Sequence, residues 1–172
     1  MNLTMIEASD NLILDANIIL YAIQRKSTQC VELIDRIALG EINCFISTHI
    51  LAEIMHVLML EEARSSGSIS GGNPARKLSE NPGIVRSLFQ YEPLFEDLLN
   101  IGLNIVEVTK SDLLDALSIQ RQYGLLTNDS LIIAVAKRLG VTKLVSADNT
   151  FSRLRNITLY SPDDLEPDPP RG

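Results

Sequence analysis

Tryptophan is absent from the 172-residue chain, and aromatic residues make up only 5% of it. A core must therefore be built from Leu, Ile, Val and Ala, and no aromatic stripe offers a base-stacking platform. Cysteine is scarce. Cys30 and Cys44 fall in no CxxC pair, which argues against a zinc site, and both sit in hydrophobic segments as expected of buried free thiols. Long apolar runs are missing, since even Leu131–Ala136 is far too short to span a bilayer. Met1–Asp10 has no basic stretch followed by an apolar one, so no signal peptide is expected and the chain reads as soluble and cytoplasmic, with no membrane partner. Neither GxGxxG nor GxxxxGK[ST] occurs, and there is no GxSxG elbow or Cys–His constellation.

An excess of positive charge is also lacking. The formal net charge is −7, where a nucleic-acid binder is usually basic. Part of the deficit is local. The end of the chain carries Asp163, Asp164, Glu166 and Asp168 against Arg171. Four further acids, Asp15, Glu53, Asp129 and Asp148, stand at special positions. With both groups set aside the body is neutral, which argues against strong nonspecific duplex binding and leaves RNA open.

The hydrophobic content of 45% is that of an ordinary folded domain. Short apolar runs at Leu12–Leu14, Ile42–Ile46, Leu103–Val108, Lys143–Ser146 and Ile157–Tyr160 read as strands. Between them, Asn17–Arg25, Thr28–Leu39, His49–Arg64, Ser111–Gly124 and Leu131–Leu139 read as helices. In the helix after Ser111, Leu113, Leu114, Leu117 and Ile119 are expected to form the apolar stripe. A helix over about 83–100 is expected to be kinked or divided at Pro93. The expected organisation is one domain over residues 1–160, with 65–82 a flexible loop or insertion, followed by an acidic, proline-containing tail over 161–172 that is disordered. Continuously apolar strands alternating with helices predict an α/β fold around a parallel sheet.

In such sheets ligands bind at the carboxyl ends of the strands. Asp15 directly follows one strand and Asp148 another, Asp129 stands at the mouth of a helix, and Glu53 lies on an otherwise apolar helix. Taken singly, Asp129 reads as a helix N-cap, Asp15 and Asp148 as turn residues, and Glu53 as a solvent-facing acid. Taken together they make a cluster suited to a hard divalent cation and to phosphodiester hydrolysis.

The run Leu14-Asp15-Ala16-Asn17-Ile18-Ile19-Leu20-Tyr21 resembles the opening motif of PIN domains, a nuclease family that includes VapC-type toxins. Ile46-Ser47-Thr48 through Leu51-Ala52-Glu53-Ile54 resembles the second motif. Asn128-Asp129-Ser130-Leu131-Ile132-Ile133-Ala134 resembles the third, and Val145-Ser146-Ala147-Asp148, followed by Phe151, the fourth. The resemblance spans residues 12 to about 160, with Ser146 where Thr is common. It implies a three-layer α/β/α fold with a central parallel sheet and a Mg²⁺- or Mn²⁺-dependent ribonuclease. Asp15, Glu53, Asp129 and Asp148 would be catalytic and metal-binding, with Asn17 and Ser146 as supporting polar residues. Products would carry 5′-phosphate and 3′-hydroxyl ends. A homodimer and, for toxin members, an antitoxin partner are implied as well, as is the alternative of a free-standing RNA-processing protein.

Other readings are weaker. Glu53-Ile54-Met55-His56 is an ExxH, but a di-iron site needs a second one and none exists. His49 and His56 read as packed or surface residues, His49 being close enough to the acids to touch phosphate. Among small basic pairs, Arg25-Lys26 and Arg153 lie nearest the motifs. A non-catalytic PIN-fold module that binds RNA or protein is the alternative of a different class. A small-phosphoester hydrolase lacks its DxD pair, since Asp15-Ala16-Asn17 ends in an amide.

Overall fold

The computed structural model describes residues 1–165. Strand β1 (Asn11–Leu14) leads into helix α1 (Ala16–Ile23), and α2 (Thr28–Ala38) returns the chain to β2 (Asn43–Ser47). There follow α3 (Thr48–Ser65), α4 (Pro74–Glu80), α5 (Pro82–Val85), α6 (Tyr91–Asn100) and β3 (Asn104–Val106). Then come α7 (Lys110–Tyr123), α8 (Thr127–Leu139), β4 (Lys143–Val145), a 3₁₀ turn (Asn149–Arg153) and β5 (Thr158–Tyr160). The five strands form one sheet in the order β3-β2-β1-β4-β5, and every pairing is parallel. Helices flank this sheet, giving the expected α/β architecture.

The strand order follows from where apolar side chains can go. Leu12, Ile13 and Leu14 of β1, Ile46 of β2 and Leu144 and Val145 of β4 are all buried. Strands without a polar face need cover on both sides, so they take the middle of the sheet while helices supply Ile18, Ile50, Ile54 and Ile132 against them. From β1 the chain builds outward to β2 and β3 in one direction. It later inserts β4 on the other flank of β1. The sheet therefore has a switch point between β1 and β4, where the two connections leave a crevice at the strands' carboxyl ends.

Several elements depart from the sequence reading. Asn43 and Asn104 fall within the expected strands, but Asn11 extends the first by one residue; Asn disfavours strands, and here the three amides join in a chain. Asn104 Nδ2 donates to Asn43 Oδ1 at 2.6 Å and Asn43 Nδ2 to Asn11 Oδ1 at 2.5 Å. The 65–82 segment contains α4 rather than only loop. Pro74 sits in its first turn and Asn73 caps it, while Ile69 and Leu78 bury against Ala63 and Leu88 in a small second core. Pro93 divides nothing: it lies in the first turn of α6, where its missing N–H is not needed. The break falls at 86–90, where the buried Glu62 carboxylate accepts N–H groups from Phe89 (3.0 Å) and Tyr91 (2.9 Å). Burial alone would raise the Glu62 pKa, but the backbone N–H groups of Gln90, Tyr91 and Phe89 hold it below its usual value.

On α7 three of the four expected apolar residues face outward. Leu113, Leu114 and Leu117 are exposed, whereas Asp112, Ala116 and Ile119 are buried. Asp112 is satisfied twice over, by a capping box with Thr109 and by Arg138 of α8 at 2.9 Å. The first residues of the expected tail are docked on the body. Asp164 accepts the Ser27 hydroxyl (2.6 Å) and the Gln29 N–H (3.0 Å) at the start of α2. The rest of the tail, with Glu166 and Asp168, lies outside the described residues.

Candidate active site

Asp15 is the first residue beyond β1 and caps α1, its Oδ1 accepting the Ala16 N–H at 2.7 Å. Its Oδ2 accepts two more bonds, from the Ser146 hydroxyl and the Asn17 amide, each at 2.6 Å. Ser146 directly follows β4, the strand next to β1. Its hydroxyl gives its one proton to Asp15 and accepts from the Asp148 N–H (3.0 Å) and from Asn17 Nδ2 (3.2 Å). The Asn17 side-chain Oδ1 accepts the Ala147 N–H at 3.0 Å. The two polar residues expected to support the site thus both stand on Asp15 and bind the ends of β1 and β4 to each other across the switch point.

Asp15 is 9% exposed. Burial raises its pKa to about 6, against the pull of Ser146 and Ala16, and the charges of Asp129 and Glu53 push it the same way. Asp129 is half-buried. Its pKa is raised by burial and by the charges of Asp148 and Glu53. The four acids therefore share one electrostatic neighbourhood. Like charges gathered in a partly dry place cannot all ionise freely without a countercharge.

Each acid reaches this place by a different route. Asp129 is not an N-cap: α8 begins at Thr127 after Leu126, so Asp129 lies inside the first turn, where the helix's free N–H groups favour negative charge. Asp148 is exposed and caps the 3₁₀ turn, its Oδ1 accepting the Thr150 N–H at 2.7 Å. Glu53 is half-buried near the start of α3, flanked by exposed Ala52 and Met55, so it is less enclosed than its apolar neighbours in sequence suggest. Its Oε2 accepts the Asn128 side-chain amide at 2.8 Å.

Sequence reasoning put His49 near the acids but did not tie it to Asn128 and Ser47. His49 Nε2 lies 3.3 Å from the Asn128 carbonyl oxygen, and His49 Nδ1 lies 2.8 Å from the Ser47 hydroxyl. A carbonyl only accepts, so Nε2 carries the proton and Nδ1 accepts from Ser47. Burial lowers the His49 pKa, partly offset by Asn128 and Glu53. The signal available in the sequence was the spacing: His49 and Glu53 are four apart on one helix and share a face.

Among the described residues, no three His, Cys, Asp or Glu side chains stand close enough together to form a ready-made metal cage. The four acids still offer carboxylate oxygens, the donors that a hard cation takes. Mg²⁺ keeps several waters and takes only one or two carboxylates directly, so an open arrangement suits it. Among the described residues no helix is long and apolar enough to cross a membrane.

The PIN domain family profile matches residues 12–157. Among solved structures the chain is similar to VapBC2 from Rickettsia felis, solved bound to a DNA fragment from its promoter. The identity is 20% and the TM-score 0.56, covering 89% of this chain and 99% of that one. It is also similar to a toxin–antitoxin complex from Klebsiella pneumoniae, at 13% identity and TM-score 0.55 over 86% and 95% of the two chains. PAE2754 from Pyrobaculum aerophilum follows at 17% identity and TM-score 0.54, over 92% and 90%. No curated protein sequence matches. At these identities the structural likeness carries the fold.

Proposed function

The chain belongs to the PIN domain family, and on that premise we propose that it is a metal-dependent endoribonuclease, the toxin of a toxin–antitoxin pair. The observation that carries this reading is the state of Asp15. A carboxylate buried at the switch point, gripped by three donors and raised to about 6 by burial and by other acids, is expensive to keep unless a cation uses it.

Asp15, Glu53, Asp129 and Asp148 would hold Mg²⁺ or Mn²⁺. When bound, such an ion supplies a water of lowered pKa and neutralises charge on the phosphate and the leaving oxygen. The chain's own residues do the rest. Ser146 and Asn17 fix the Asp15 carboxylate in one orientation. Asp129 presents its charge beside the N–H groups that open α8, and exposed Asp148 stands at the rim, where an RNA strand would arrive. The RNA phosphodiester is the substrate class, cut to leave 5′-phosphate and 3′-hydroxyl ends. An antitoxin partner is supported by similarity to structures of toxin–antitoxin complexes. A homodimer and a cytoplasmic setting belong to the same reading.

A second reading is a PIN-fold module that binds RNA or protein without cutting. One experiment separates the two. Labelled single-stranded RNA is incubated with Mg²⁺ or Mn²⁺ and wild-type, Asp15→Asn or Asp129→Asn protein. Metal-dependent cutting that both substitutions abolish supports the nuclease. A wild type that binds RNA but neither cuts it nor binds metal supports the module.

A further inference from the structure

The acids of this site repel one another, and the charge of Glu53 raises both Asp15 and Asp129. A glutamate side chain has three rotatable bonds and would relieve that repulsion by swinging out to solvent. It does not, because it is held. Helix α3 presents His49 and, one turn later, Glu53 to the first turn of α8. Between them sits Asn128, fastened at both ends: its backbone carbonyl oxygen faces His49 Nε2 at 3.3 Å and its side-chain Nδ2 donates to Glu53 Oε2 at 2.8 Å. His49 is itself anchored through Nδ1 to Ser47, the buried last residue of β2, at 2.8 Å. The path runs from the sheet edge through the imidazole to α8 and back to Glu53.

We propose that His49 and Asn128 are positioning residues that hold the Glu53 carboxylate beside Asp129, keeping the pair spaced for one divalent cation. This rests on the metal-dependent reading above. Neither residue touches the substrate in this account. Asn128 sets where the carboxylate points, and His49 sets where Asn128 sits. A tie that served only to join α3 to α8 would affect stability and leave cation affinity alone. A positioning tie affects cation affinity in a folded protein.

The test is Mn²⁺ binding, read from the electron paramagnetic resonance signal of the free ion, alongside the metal-free melting temperature. The set is wild type, Asn128→Ala, His49→Ala, His49→Gln and the double alanine variant. Asn128 is exposed in the first turn of its helix, where alanine is compatible with folding. Loss of such an outer partner costs about tenfold or more in metal affinity, and that loss is expected for Asn128→Ala. His49→Ala should weaken Mn²⁺ in the same direction. His49→Gln should restore binding, because the glutamine amide can donate from a similar position to the Asn128 carbonyl. In the Asn128→Ala background, His49→Ala should add no further loss, since its effect passes through Asn128. Unchanged Mn²⁺ affinity in folded Asn128→Ala, or fully additive losses in the double variant, would overturn the proposal while leaving the nuclease reading intact. A wild type that binds no Mn²⁺ would overturn both.

Discussion

Asp15 gives a pH dependence whose sign and size follow from its surroundings. Its pKa is about 6 in the folded chain against an ordinary 3.8. An acid whose folded pKa is raised favours the protonated folded form. Its contribution to stability is complete below 3.8 and is lost as pH rises through about 6. The whole loss is worth about 3 kcal/mol. Asp129 tilts the same way and Asp10, Glu62, Asp112 and Asp164, all held below their usual values, tilt the opposite way. The Asp15 term must therefore be read as a difference. Asp15→Asn keeps the shape, removes the titration, and loses a hydrogen bond at every pH alike. Urea unfolding in chelator compares the two proteins at about pH 5.2 and about pH 7.5, both above the isoelectric region near 4.8. Wild type should lose about 1 kcal/mol relative to the variant between those points, the part of the titration that the window samples. A carbon-13 carboxyl titration of Asp15 should show its midpoint near 6. A stability gap that is the same at both pH values would refute the argument that burial, unrelieved in the metal-free protein, governs this group.

Ser146→Ala should lower Mn²⁺ affinity and RNA cleavage by about tenfold or more, while Ser146→Thr keeps the hydroxyl and retains both; cleavage rates and metal titration check this. Asp112→Ala should cost about 2 kcal/mol by urea unfolding. It removes a capping box and an ion pair, but its partner Arg138 is 35% exposed and stays solvated, which holds the cost below that of a fully buried pair. Arg25→Gly should stabilise the fold by up to about 1 kcal/mol, because Arg25 takes φ 54° at the end of α1, a conformation that suits glycine; the melting temperature reads it.

Much of this architecture was legible in the sequence. Leu12–Leu14 and Leu144–Val145 are apolar on both faces, as the middle of a covered parallel sheet accommodates, and that put Asp15 and Asp148 on one edge. What escaped was set by tertiary partners. The leucines of α7 read as a core stripe because nothing local announces that Arg138, 26 residues away, will neutralise Asp112 on the other face. Glu62 carries no local signal, since the N–H groups that hold it come from Phe89 and Tyr91. Asn11 is a poor strand former singly and joins β1 only in register with Asn43. The pairing of His49 with Asn128 spans 79 residues and leaves no periodic trace.

The Ser146 hydroxyl that grips Asp15 comes from 131 residues further along the chain. The centre of the site is thus made by one of the longest loop closures in the fold, between parallel strands, and contacts of such sequence separation are slow to form. Residues 1–145 supply the Ala16 and Asn17 donors but not the third. During synthesis the N-terminal strand and its helices can collapse while Asp15 still lacks its clamp. The site matures only when β4 slides in beside β1. For a chain proposed to cut RNA, assembly order is then a timer, keeping the nascent protein unfinished as a nuclease until most of it has been made.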